Sequence, residues 1–150
     1  MPETRSIELK LESKIDSVDA VELIVLGLAR EAGFGPDDID HLGMAVRESM
    51  VNAITHGNGY NKEKSVYFAV RSEGGTLEIS IQDEGEGFDP NAVPDPTAPE
   101  NLLKTSGRGL LLMNALVDEF HVGPAEPRGT RVTLVKSGPG RESQAKEENR

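Results

Sequence analysis

Alternation opens the chain. In SIELKLES (residues 6–13) Ile7, Leu9 and Leu11 share one side and polar residues the other, which is the period of a half-buried strand. From Asp16 or Ser17 as candidate cap the period becomes helical, with Val18, Val21, Ile24, Val25 and Leu28 on one face, and it stops at Gly33. Gly35–Pro36 restarts the chain, Asp37 or Asp38 offers a cap, and Ile39, Leu42, Val46, Met50 and Ile54 trace the buried face of a second helix. That helix runs to Gly57–Asn58–Gly59, a cluster suited to a left-handed cap.

SVYFAVR and TLEISIQD then flank Glu73–Gly74–Gly75 as a β-hairpin, with Val66, Phe68 and Val70 and then Leu77, Ile79 and Ile81 as inward rows. Residues 84–106 hold Pro90, Pro94, Pro96 and Pro99 and no period, so a long functional or disordered loop is expected. GRGLLLMNALVDEF (107–120) predicts a third helix and GTRVTLVK (129–136) a last strand. No internal repeat is visible.

The order strand, helix, helix, two strands, loop, helix, strand predicts an α+β fold. We expect a two-layer α/β sandwich, its mixed, mostly antiparallel sheet covered on one face by helices. One domain over residues 1–136 is expected, followed by a polar tail, 137–150, that composition marks as disordered.

Composition narrows the function classes. With no cysteine there is no thiol nucleophile, disulfide or thiolate metal site, and three scattered histidines lack zinc-site spacing. The N-terminal stretch has no apolar signal region, and no apolar run approaches the roughly 20 residues that span a bilayer. A soluble cytoplasmic protein without a membrane partner is therefore expected. A net charge of −10 and a pI near 4.8 disfavour nucleic acid as the main partner. A nucleotide remains open to such a chain if a metal and local N–H groups outweigh the global field.

Three stretches carry candidate chemistry. In ESMVNAITHGN, Glu48, Asn52 and His56 fall four apart and form one polar stripe on the second helix. The competing reading is a solvated face. In IQDEGEGFDP, Asp83 shares the parity of Leu77, Ile79 and Ile81, so its carboxylate points to the core side where the strand ends and needs donors there. An adenine amino group is one such donor, and Gly85 and Gly87 clear space for a flat ring. Competing readings are a turn in which the Asp caps its own backbone and a calcium loop, the latter lacking oxygen ligands at alternate positions. In TSGRGLLL, glycines ahead of an apolar helix expose N–H groups favourable to phosphate, although neither the dinucleotide fingerprint nor a P-loop is met.

Taken together, E-x-x-x-N-A-x-x-H-G, D-x-G-x-G-F, G-R-G-L and G-T, in this order over about residues 7 to 136, resemble the nucleotide-binding boxes of the GHKL ATPase superfamily, the Bergerat fold. The chain looks most like the anti-sigma-factor serine/threonine protein kinases of bacterial partner-switching systems. That resemblance implies ATP and Mg²⁺ as cofactors, with Asn52 as magnesium ligand and Glu48 as general base. It also implies Asp83 on the adenine, Gly85 and Gly87 shaping the base pocket, and Gly107, Arg108 and Gly109 at the phosphates. Thr130 would assist Asp83, and residues 89–106 would form a lid. His56 matches the motif, although a histidine in a last helical turn is also favoured by the dipole.

The partners implied are an anti-anti-sigma factor with a STAS domain, a sigma factor and a second copy of the chain. Two further expectations stay open: a non-catalytic, ATP-dependent binding module of the same fold, and the ATPase domain of a histidine kinase. The proline-rich lid segment resembles that of stand-alone ATP-binding regulators of the family, so nucleotide binding is better founded than transfer.

Overall fold

The computed structural model describes residues 4–86 and 113–138. The alternating segments become strands β1 (Arg5–Glu12), β2 (Ser65–Glu73) and β3 (Thr76–Gln82), and β2 and β3 form the predicted hairpin over Gly74 and Gly75. Both glycines have positive φ, 57° and 82°, as a tight hairpin turn requires. Strands β4 (Glu119–Pro124) and β5 (Thr130–Ser137) complete a five-stranded sheet of order β1-β2-β3-β5-β4. All four pairings are antiparallel, so the mixed component of the expected sheet is absent among the described residues.

Register turns the sequence alternation into one continuous apolar face. One row across the sheet reads Ile7, Val70, Ile79, Leu134, Phe120, and the next reads Leu9, Phe68, Ile81, Val132, Val122. Helices α1 (Asp16–Glu31) and α2 (Pro36–Asn52) contribute Val18, Val21, Val25, Leu42, Val46 and Met50 to the same core. Each of these side chains is withdrawn from water, and burying such a residue stabilises the fold by about 1.5–3 kcal/mol. The helices approach closely at Gly43, where a Cβ would stand 3.2 Å from Leu26 Cδ2.

Several local expectations change. The residue before α1 is Ile15, without a side-chain cap, and the Ser17 hydroxyl instead donates to the Glu12 carbonyl at 2.8 Å. Gly35 precedes α2 with Pro36 at the first turn, while Asp37 and Asp38 sit inside that turn and favour its dipole. The third helix was expected to reach residue 120. Of its described part, residues 113–116 are helical, and from Glu119 the chain is strand β4, because Phe120 and Val122 find partners in Leu134 and Val132. Strand β5 runs one residue past the expected domain end: the Ser137 N–H donates to Asp118 Oδ2 at 2.8 Å and the Gly138 N–H to the Gly75 carbonyl at 2.9 Å.

Buried Lys136 closes the far end of the sandwich. Its Nζ donates to the Leu116 carbonyl at 3.0 Å and stands 3.6 Å from Asp38 Oδ1, joining β5 to the helical 113–116 segment and to the start of α2.

Candidate functional site

Helix α2 buries Leu42, Val46 and Met50 and thereby turns Glu48 and Asn52 to its flank, where both are half-buried, with His56 exposed beyond them. Their side chains make no hydrogen bond among the described residues. Ser49, between them in sequence but on the inner side, has its one hydroxyl proton within reach of both the Ala45 carbonyl at 2.9 Å and Met113 Sδ at 2.8 Å, which seats the 113–116 segment on α2. After Asn52 the helix widens into a π turn, Ala53–Gly57, closed by the Asn58 N–H on the Ala53 carbonyl at 2.8 Å. Such a bulge is frequent at functional sites.

Asp83 is 6% exposed and lies one step past the last ladder pair of β3, with the core-side parity that its sequence position requires. Its main chain continues the pairing, the Asp83 N–H donating to the Thr130 carbonyl at 3.0 Å. Oδ1 accepts from the N–H of Gly85 at 2.9 Å and from the N–H of Thr130 at 3.0 Å. Oδ2 takes no hydrogen bond among the described residues. Burial pushes the Asp83 carboxyl above the ordinary aspartate range, opposed by the two N–H donors and by the charge of Lys64. Thr130 thus reaches Asp83 through its backbone amide, and its hydroxyl makes no hydrogen bond among the described residues.

Three glycines wall this carboxylate. A Cβ on Gly57 would stand 2.2 Å from Asp83 Oδ2, one on Gly85 2.2 Å from the Gly57 carbonyl oxygen, and one on Gly129 2.0 Å from the Asp83 carbonyl oxygen. Gly129 also has φ +100°, a conformation that side chains rarely adopt. Gly57 and Gly129 stand in the H-G and G-T of the quoted motifs, but their contact with Asp83 was not expected, for nothing local distinguishes a glycine that permits close approach from one that merely turns the chain. Through Gly57 the π turn lies directly against Asp83, only about 7 Å of helix axis beyond Asn52. The stripe's helix and the strand-end acid are therefore neighbours, and the residue in contact is Gly57, the one after His56.

The left-handed cap expected of Gly57–Asn58–Gly59 falls on Gly59, which leaves Asn58 free for another role. Its φ of −87° is right-handed, and the left-handed positions are Gly59 and Tyr60, both at 59°. The Asn58 side chain, 3% exposed, donates from Nδ2 to Ser13 Oγ at 2.8 Å and to the Ser65 carbonyl at 3.0 Å, while Oδ1 accepts from the Glu84 N–H at 2.7 Å. Glu84 Oε1 in turn accepts from the Ser65 N–H, and the Ser13 hydroxyl donates to the Lys64 carbonyl.

Chemically, the arrangement offers a largely buried carboxylate whose second oxygen is unpaired among the described residues and open to a donor from outside, a backbone-walled slot beside it, and a half-buried amide and carboxylate on the adjoining helix. Among the described residues no three His, Asp or Glu side chains gather as a metal cluster, so a metal here would complete its shell with ligand and water oxygens, as Mg²⁺ does in phosphate sites. Gly87, Gly107, Arg108 and Gly109, and the 89–106 lid segment, lie outside the described residues. No described helix is long and apolar enough to cross a membrane.

Comparison with known proteins adds independent findings. Residues 11–136 match the model of the histidine kinase-like ATPase domain. A serine-protein kinase RsbW of Bacillus licheniformis is 36% identical over 128 residues, covering 77% of this chain and 76% of that protein. The RsbW of Bacillus velezensis is 36% identical over 138 residues, covering 87% and 84%. Among solved structures, the RsbU and RsbW domains of a Mycobacterium tuberculosis protein superpose on 89% of this chain with a TM-score of 0.63 at 22% identity, a likeness of fold. The chain spans 32% of that solved chain's length.

Proposed function

Because the chain belongs to the histidine kinase-like ATPase domain family, we propose that it is a serine/threonine protein kinase of the anti-sigma-factor type. It moves the γ-phosphoryl group of Mg-ATP to a serine or threonine of a STAS-fold, anti-anti-sigma partner and holds a sigma factor when that partner is phosphorylated. The relatives named RsbW support the reaction class. The observation that carries the site is Asp83, with Oδ1 committed to two backbone donors, Oδ2 uncommitted, and the turn of the Glu48–Asn52 helix against it.

In this reading Asp83 Oδ2 accepts from the adenine 6-amino group, and Gly57, Gly85 and Gly129 leave room for the base plane. The Asn52 amide oxygen would hold Mg²⁺ without adding negative charge, and when bound the ion would supply charge neutralisation at the phosphate oxygens. Glu48 takes the proton from the partner's hydroxyl as that oxygen attacks the γ-phosphorus, and ADP departs. Gly87 is proposed beside the base, and Gly107, Arg108 and Gly109 at the phosphates. His56 is given no step. Most of the rate then comes from positioning and from charge placed in advance.

The test incubates the protein with Mg-ATP and candidate STAS-fold partners and reads intact masses. One added phosphate on the partner, lost in Glu48→Ala while ADP still binds, is expected. Unchanged phosphorylation by that variant overturns Glu48 as base, and failure of the wild type to bind any adenine nucleotide overturns the whole reading. ATP-dependent capture of a sigma factor without a mass change replaces the kinase by a non-catalytic regulatory module.

A further inference from the structure

We infer that Asn58 is a positioning residue for purine recognition, acting through Glu84 and Gly85 on Asp83. This inference rests on the proposal that Asp83 receives the adenine.

Strand β3 could continue past Asp83, but the Asn58 Oδ1 captures the Glu84 N–H at 2.7 Å and draws the chain off the sheet. The following N–H, of Gly85, then turns back to Asp83 Oδ1 at 2.9 Å. A turn of this kind consumes one carboxylate oxygen and leaves the other for a ligand. The same Asn58 closes the π turn through its main-chain N–H on Ala53, and Gly57 beside it presses on Asp83 Oδ2. Asn58 therefore acts twice: its side-chain amide fixes the direction in which Asp83 presents its free oxygen, and its main-chain N–H closes the turn that sets the distance from that oxygen to the helix carrying Glu48 and Asn52.

The amide is held from both sides. Its two Nδ2 bonds, to Ser13 and to the Ser65 carbonyl, anchor it to the end of β1 and the start of β2, and Glu84 Oε1 returns a bond to the Ser65 N–H. Asn58 makes no contact with the carboxylate itself in the hydrogen-bond pattern, so its influence on the ligand is indirect. Loss of its side chain leaves the apolar core intact but frees Glu84 and Gly85 to relax, with the Asp83 turn following them.

The experiment measures ADP and GDP binding to the full chain by calorimetry for the wild type, Asn58→Ala, Glu84→Ala, Glu84→Gln and Asp83→Ala, at a temperature where circular dichroism shows each folded. Asn58→Ala is expected to weaken ADP by about tenfold or more and to erode the preference for ADP over GDP, since one buried anchor is removed from the purine site. Glu84→Ala is expected to act in the same direction, and Glu84→Gln, which keeps the acceptor oxygen, to restore wild-type selectivity. A folded Asn58→Ala protein with unchanged ADP affinity, or one that loses ADP and GDP in equal proportion, overturns the inference. If Asp83→Ala keeps wild-type ADP affinity, the purine assignment itself fails, whatever Asn58 does.

Discussion

Replacing Gly85 by alanine tests the cradle most directly. The new Cβ would lie 2.2 Å from the Gly57 carbonyl oxygen and 2.8 Å from its carbon. Ordinary carbon–oxygen contacts begin at about 3.3 Å, so roughly 1 Å of separation must be found. The obstacle is backbone on a closed π turn, and no flexible side chain can swing aside. If Gly57 yields, the helix end leaves Asp83 Oδ2; if Gly85 yields, its N–H leaves Oδ1. Overpacking of this kind costs about 1–3 kcal/mol, and a displaced bond to a carboxylate adds about 1.5–3 kcal/mol where it is not remade. At the lower end this lowers the melting temperature by about 2–4 °C per kcal/mol.

Gly27→Ala is the matched control. It sits inside α1 with nothing within 4 Å of the added Cβ, so it is expected to stabilise by about 0.5–1 kcal/mol through helix propensity. Paired thermal melts and ADP titrations decide the matter. The expected outcome is opposite shifts in melting temperature, with ADP affinity reduced by about tenfold or more in Gly85→Ala alone. A Gly85→Ala protein with wild-type melting and wild-type affinity would refute the close approach of Gly57 to Gly85, and with it the walls of the proposed base slot.

Because burial raises the Asp83 carboxyl above its ordinary range, the folded protein keeps that proton to higher pH than the unfolded chain does, so this group's contribution to stability falls as pH rises between the two values. If ADP is held by the ionised oxygen as proposed, its binding should run the other way and weaken as pH falls through the raised value; calorimetric titrations from neutral pH downward that show no loss above the ordinary aspartate range would contradict this. Asn52→Ala is expected to lose most of the magnesium-dependent part of ATP affinity while keeping the metal-independent part, a difference read by titrating with and without chelator. Lys136→Ala removes the donor to Leu116 and the ion pair with Asp38, and should lower stability by about 2 kcal/mol in denaturant melts while leaving ADP affinity unchanged, since it closes the opposite end of the sandwich from Asp83.

Much of the architecture is written locally. The alternation of Ile7, Leu9 and Leu11, of Val66, Phe68 and Val70, and of Leu77, Ile79 and Ile81 names the buried face of each strand, because side chains alternate strictly across a sheet. The same parity points Asp83 inward, and helical spacing separates Glu48 and Asn52 from the buried Val46 and Met50. Strand β4 is the exception: Gly123 and Pro124 dilute its signal, and it exists by pairing with β5 along an edge where a proline is tolerated.

The resemblance already joins Thr130 to Asp83; what the tertiary structure alone decided is through which group Thr130 does so and what else closes on that carboxylate. Its ligands come from Thr130, 47 residues on, and its walls from Gly57 and Gly129; the amide that steers Glu84 belongs to Asn58, 26 residues back. None of these encounters leaves a periodic trace, since each involves backbone groups or single small residues brought together by the order of strands in the sheet. Periodicity reports which side of an element avoids water. Which distant backbone closes on that side is settled only when the sheet is assembled.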